Sequence, residues 1–260
     1  MTLALALTLL LLGLLGAFVA GLLGVGGAIV MIPLLLYVPS LLGVGQLSVK
    51  AVAGVTMVQV LVAALSGMLA HRRYGAVNRE LAWVGGSAMA AGSLAGAVLS
   101  AAVHEWWLLL VFSLMVTVAG PLMLMPADLV GPPLLESEGF SRLRIAVVSG
   151  GVGVAAGLVG AGGAFLLVPL LLVVVRVPIR VTIGSSLAIT AMAAAAGVAG
   201  KLVTEQVPYG PAVAVALGAV PGAQLGAAVS RRLSGEQLKL TLGVTITIIA
   251  VRVWWNVLAH

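Results

Sequence analysis

Gly24, Gly26 and Gly27 fill three of four consecutive positions, and Gly160, Gly162 and Gly163 repeat the arrangement far along the chain. A run of this kind can turn tightly and leave backbone N–H groups free. Each run leads into an apolar segment with a proline in register, "AIVMIPLLL" after Gly27 and "AFLLVPLLL" after Gly163. These segments read as new helices, whose first turns carry unpaired N–H donors and the positive end of the helix dipole. The chemistry offered by such an end is anion binding. Close helix packing is the competing reading of glycine in an apolar span, but the clusters are denser than packing requires.

Hydroxyl and amide groups stand where they can assist. Thr56 and Gln59 follow Gly54, while Ser185 and Ser186 follow Gly184, with Thr190 one turn further on. Each can donate to an oxyanion. The alternative is that the hydroxyls bond to carbonyls of their own helices. Lys50 and Arg180 open the two helices concerned and either draw an anion in or anchor at the membrane interface. The candidate binding set is therefore Gly24, Gly26, Gly27, Thr56, Gln59, Gly160, Gly162, Gly163, Ser185 and Ser186, with Lys50 and Arg180 for anion attraction.

Other chemistries lack their residues. The seven carboxylates, Glu80, Glu105, Asp128, Glu136, Glu138, Glu205 and Glu236, fall at or near expected loops, so none reads as a proton relay or cation ligand deep in a span. His71, His104 and His260 stand near span ends and form no metal motif. There is no cysteine, which removes thiolate catalysis and Cys-based metal sites. No GKS or GKT signature is present for ATP-driven transport. No catalytic residue, metal or cofactor is expected, and the chain does not read as an enzyme.

The elements that must position these groups are membrane spans. The chain of 260 residues is 62% hydrophobic and only 8% charged, against the roughly 25% charged residues usual in soluble domains. Apolar runs of about 20 residues recur throughout. The N-terminal run resembles a signal peptide but has no basic n-region, so it reads as part of the membrane core. The net charge of +6 comes mostly from residues flanking apolar runs, which argues for membrane orientation rather than nucleic acid. The reading is a glycine-broken hairpin at 3–37, spans near 51–70, 81–103 and 106–125, a second hairpin at 145–175, and spans near 181–203, 209–229 and 238–257.

The chain repeats itself. Gly21, Gly24, Gly26, Gly27 and Pro33 match Gly157, Gly160, Gly162, Gly163 and Pro169 at an offset of 136. Lys50, Gly54, Thr56, Gly67, Gly92 and Gly96 match Arg180, Gly184, Ser186, Gly197, Gly222 and Gly226 at an offset of 130. The division is a first repeat at 1–125, a connection at 126–144 and a second repeat at 145–260. If each broken stretch crossed the membrane once, seven basic residues would lie on one side and six on the other. If each goes in and returns, ten lie inside and only Lys50, Lys201 and Arg252 outside. The second arrangement obeys the positive-inside rule and inverts one half relative to the other. Gly92 with Gly96, and Gly218 with Gly222 and Gly226, have the four-residue spacing of close helix packing.

The expected fold is an all-α polytopic membrane protein of two inverted repeats, each a glycine-broken hairpin plus three transmembrane helices. Inverted repeats with broken helices around a central site are a plan of secondary transporters. The paired "GLLGVGGAIVMIPLLL" and "GLVGAGGAFLLVPLLL", with the polar "AGVTM" and "IGSSL" behind them, resemble the sulfite exporter TauE/SafE family of membrane permeases over nearly the whole chain. Many relatives have a third consecutive glycine where this chain has "GVGGA" and "GAGGA". The resemblance implies transport of a small sulfur-containing oxyanion such as sulfite, a sulfonate or thiosulfate, across a bacterial or archaeal inner membrane. An anion channel and an integral-membrane lipid-phosphate enzyme are the competing functions. The lipid bilayer is an expected partner, nucleic acid is not, and a homo-oligomer stays open.

Overall fold

The computed structural model describes residues 1–23, 27–72, 78–125 and 141–230, and separate residues between 232 and 251. The described elements are helices: α1 (Leu3–Leu23), α2 (Ala28–Leu41), α3 (Val49–Arg72), α4 (Arg79–Leu99), α5 (Glu105–Leu124), α6 (Arg142–Val159), α7 (Ala164–Leu170, closed by a π-helical turn at Leu171–Val175), α8 (Ile179–Val203) and α9 (Tyr209–Ser230). Among the described residues, seven of them are long and apolar enough to cross a bilayer. α2 and α7 are shorter. Large apolar side chains such as Leu7, Leu11 and Leu15 of α1 and Leu217 of α9 lie uncovered, as suits faces in contact with lipid.

Helix ends follow local chemistry. Asn78 Oδ1 accepts from Leu81 N–H at 3.0 Å and starts α4. Ser141 Oγ accepts from Arg144 N–H at 3.4 Å, so α6 begins at Arg142 and takes in three residues assigned above to the connection. Residues 126–140 lie outside the described residues, as does most of the expected last span.

The expected broken hairpins are present, with unequal arms. α1 and α6 have 21 and 18 residues, enough to cross a bilayer alone, rather than the half-helices expected. Each is followed by its shorter partner running back along it. A β-carbon on Gly27 would meet Ala20 at 3.1 Å, and one on Gly163 would meet Val152 and Ala156 at 2.8 Å. These are the same contacts at an offset of 136.

Between halves, the helices pack through glycine onto backbone. Gly157 lies on the Ser93 carbonyl and Ala97 N–H of α4, while Gly21 lies on the Ala223 carbonyl and Ala227 N–H of α9. Gly92 and Gly96 of α4 press on Gly150 and Val154 of α6, and Gly222 and Gly226 of α9 press on Leu14 and Phe18 of α1. The order of these contacts makes α1 parallel to α9 and α4 parallel to α6. α3 and α8, which hold matching places in the sequence, run antiparallel: Gly67 meets Leu187 and Gly197 meets Met57. Each of that last pair of contacts is the image of the other at an offset of 130.

Candidate functional site

The second glycine turn is built on three left-handed residues, Gly160 (φ 78°), Gly162 (φ 62°) and Gly163 (φ 73°). Gly160 ends α6 by donating to the Ala156 carbonyl at 2.8 Å. Gly163 starts α7 with no side-chain cap, and Gly27 (φ 74°) starts α2 in the same way. Neither cap residue therefore offers a side-chain acceptor to the first-turn donors of its helix. Gly24 and Gly26 lie outside the described residues.

The turn reaches the centre of the bundle. Gly160 lies on the Ala53 carbonyl of α3. A β-carbon on Gly162 would collide with Val60 of α3 and stand 3.3 Å from Thr190 Cγ2 of α8. Val60 and Thr190 hold equivalent places in the two halves, so the turn sits where α3 and α8 cross.

Polar groups without partners collect on the same two helices. Thr56 Oγ1, both amide atoms of Gln59, and Thr190 Oγ1 are fully buried and make no hydrogen bond among the described residues. Elsewhere the hydroxyls do bond to their own helices, as Thr8 does to Ala4 at 2.9 Å, Ser113 to Leu109 at 2.8 Å and Thr204 to Gly200 at 2.8 Å. Thr56 and Thr190 depart from that pattern. A buried polar group without a partner costs about 1–3 kcal/mol, and such groups call for a ligand or water. Ser93 Oγ and Ser149 Oγ are also buried and unbonded, but they sit in the α4–α6–α8 packing, beside Gly197 and Gly85 respectively.

The structure sorts the other expected residues. Ser186 is buried and bonded. Ser185 is buried too, but its hydroxyl accepts from the Asn78 N–H at 3.0 Å, where α4 begins. Lys50 lies at the opposite end of α4, with Nζ donating to the Ala101 carbonyl at 2.8 Å. The Arg180 side chain lies outside the described residues. In the sequence Thr190 stands one turn beyond Ser186, outside the expected binding set, and Lys201 falls among the charges near span ends. Lys201 is in fact fully buried, and donates to Ser100 Oγ at 2.7 Å, Gln206 Oε1 at 2.9 Å and the Leu158 carbonyl at 3.2 Å.

Seven span-length apolar helices among the described residues, a glycine turn at 160–163 and buried unbonded polar groups are a transporter's parts, and the comparison with known proteins agrees. Residues 9–253 match the family described as "Sulfite exporter TauE/SafE". The chain belongs to the TauE/SafE family. A "Probable membrane transporter protein" of Xylella fastidiosa is 31% identical to it over 254 residues, covering 94% of this chain and 92% of the relative. The "Probable membrane transporter protein YunE" of Bacillus subtilis is 25% identical over 260 residues, covering 93% of this chain and 94% of the relative. No solved structure matches the chain. As a TauE/SafE protein it is a multi-pass membrane transporter of the cell membrane, not an enzyme.

Proposed function

We propose that this transporter carries a small sulfur-containing oxyanion, such as sulfite, a sulfonate or thiosulfate, by secondary transport, and binds it between the two glycine turns. The observation that carries this reading is the set of buried, unbonded groups on Thr190, which stands beside Gly162, and on Thr56 and Gln59 of α3, the helix whose Val60 meets that glycine. The uncapped starts of α2 and α7 add backbone donors on this reading. Gly162, Gly163, Gly27, Thr56, Gln59 and Thr190 are the binding residues on this reading, together with Gly24, Gly26, Gly160 and Ser186. Ser185 of α8 acts from beside the start of α4.

A pyramidal or tetrahedral head presents three oxygens to these donors. Each charge-assisted bond contributes about 1.5–3 kcal/mol, offset by dehydration of the anion. The chain's described carboxylates are far from this centre in sequence and lie at helix ends: Glu80 pairs with Arg142 at 2.6 Å and Glu105 faces the start of α3. Among the described residues, a cation therefore has no carboxylate recorded against it at the turn.

We infer further that residues 1–125 and 145–260 are inverted copies. The paired glycine contacts at offsets of 130 and 136, and the antiparallel course of α3 and α8, support this. Alternating access then follows from one half moving against the other around a fixed site.

Flux into proteoliposomes of sulfite, an alkyl sulfonate, thiosulfate, sulfate, chloride and a neutral sulfone tests the reading. The sulfur oxyanions are expected to move and to compete with one another. Equal handling of the neutral sulfone, or transport of a metal cation instead, would overturn it. A rate that saturates with substrate and falls when the opposite side is empty marks a carrier, and a rate that does neither marks a channel.

A further inference from the structure

Away from the turn, a cleft of about 510 Å³ opens at the C-terminal end of α8. Lys50, Ala101, Thr204, Glu205 and Gln206 are among the residues that line it. Beneath its floor lies Lys201. Gln206 is both floor of the cleft and acceptor for Lys201 Nζ at 2.9 Å. On its other side the same ammonium donates to the Leu158 carbonyl, two residues before the left-handed Gly160 that opens the glycine turn. Lys201, with Ser100 and Gln206, thus links the cleft to the end of the helix that leads into the turn.

This link is chemically unusual. Lys201 is fully buried, and its three acceptors are a hydroxyl, an amide and a carbonyl, all neutral. A buried ammonium ordinarily has an anionic partner. The nearby carboxylates do not fill that role. Glu105 accepts from the N–H groups of Val49 and Lys50 at 3.4 Å, and Glu205 is exposed on the cleft wall with φ 56°. Lys50 Nζ, on the same wall, donates to the Ala101 carbonyl, its one acceptor among the described residues.

We propose that this cleft is a second oxyanion site, on the way to the glycine turn, where Lys201 exchanges its neutral acceptors for the oxygens of the anion. An ammonium bonds more strongly to an anionic oxygen than to a neutral one. An anion entering between Lys50 and Gln206 therefore draws Lys201 off Gln206 and Ser100. That movement also frees the Leu158 carbonyl, at the end of the helix that leads into the turn. The site rests on the transport of sulfur oxyanions argued above.

Two variants test it in vesicles of known orientation. Lys201→Met removes the cation at similar length. Gln206→Glu keeps the size and supplies Lys201 with a permanent carboxylate, which protects folding and competes with the substrate. Each is expected to raise KM for sulfite offered on the Lys50 face by about tenfold or more, the loss of one charge-assisted contact, with KM on the opposite face within about twofold. A shift in conformational balance would instead move the two faces in opposite directions. Unchanged KM on the Lys50 face, or equal or opposite changes on both, would overturn the second site while leaving the turn site standing. A wild-type protein that moves no sulfur oxyanion would overturn both.

Discussion

Gly162 stands against Thr190 with no room between them: a β-carbon on the glycine would lie 3.3 Å from the threonine methyl and collide with Val60 on the other side. The glycine is also left-handed, at φ 62°. Space and backbone both demand glycine there. Gly162→Leu is expected to reduce sulfite flux below detection while the protein still inserts in the membrane. Flux per inserted molecule, measured beside the membrane content, checks this, and normal flux would mean that the turn serves packing alone.

Thr56 carries an unbonded hydroxyl in a fully buried place. Thr56→Val should weaken oxyanion binding by about tenfold, equivalent to about 1.4 kcal/mol. The same change removes an unsatisfied group, so the ligand-free protein should become more stable by about 1 kcal/mol. Calorimetry for binding and a melting curve without ligand read the two signs. Thr190→Val is expected to behave alike. Weaker binding with lower stability would mark Thr56 as structural.

The interhelical glycines should divide by what lies opposite them. A β-carbon on Gly96 would strike the Val154 carbonyl, whereas one on Gly151 meets nothing within 4 Å. Gly96→Ala is expected to cost about 1–3 kcal/mol by forcing α4 and α6 apart. Gly151→Ala should be neutral or stabilising by up to about 1 kcal/mol, from helix propensity. Thermal denaturation of the two variants in detergent compares them directly.

The ends of α4 should face opposite compartments. Arg142 pairs with Glu80 at its first turn, and Lys50 reaches Ala101 beyond its last. By the positive-inside rule the Glu80 end is cytoplasmic. With no cysteine in the chain, Leu143→Cys and Arg232→Cys should react with a membrane-impermeant maleimide only from the cytoplasmic side, and Ala102→Cys only from the other. Labelling of Leu143→Cys and Arg232→Cys from different sides would sink the inverted arrangement.

The described helices, the return of α2 along α1 and of α7 along α6, and the glycine turn at 160–163 were legible in the sequence, because hydropathy, glycine density and proline placement act over a few neighbouring residues. The offsets of 130 and 136 marked which residues would correspond. Helix ends moved by only a few residues, as when Ser141 brought the start of α6 forward to Arg142. Tertiary structure decided which polar groups are free. Thr56 and Ser185 look alike in sequence, yet the first has no partner among the described residues and the second is held by the Asn78 N–H, 107 residues away. Lys201 reads as an interface charge by its place near a span end, but Ser100, 101 residues away, and the carbonyl of Leu158 close over it. Whether a polar group in an apolar helix is satisfied depends on what distant helices bring to it, and no local pattern encodes that.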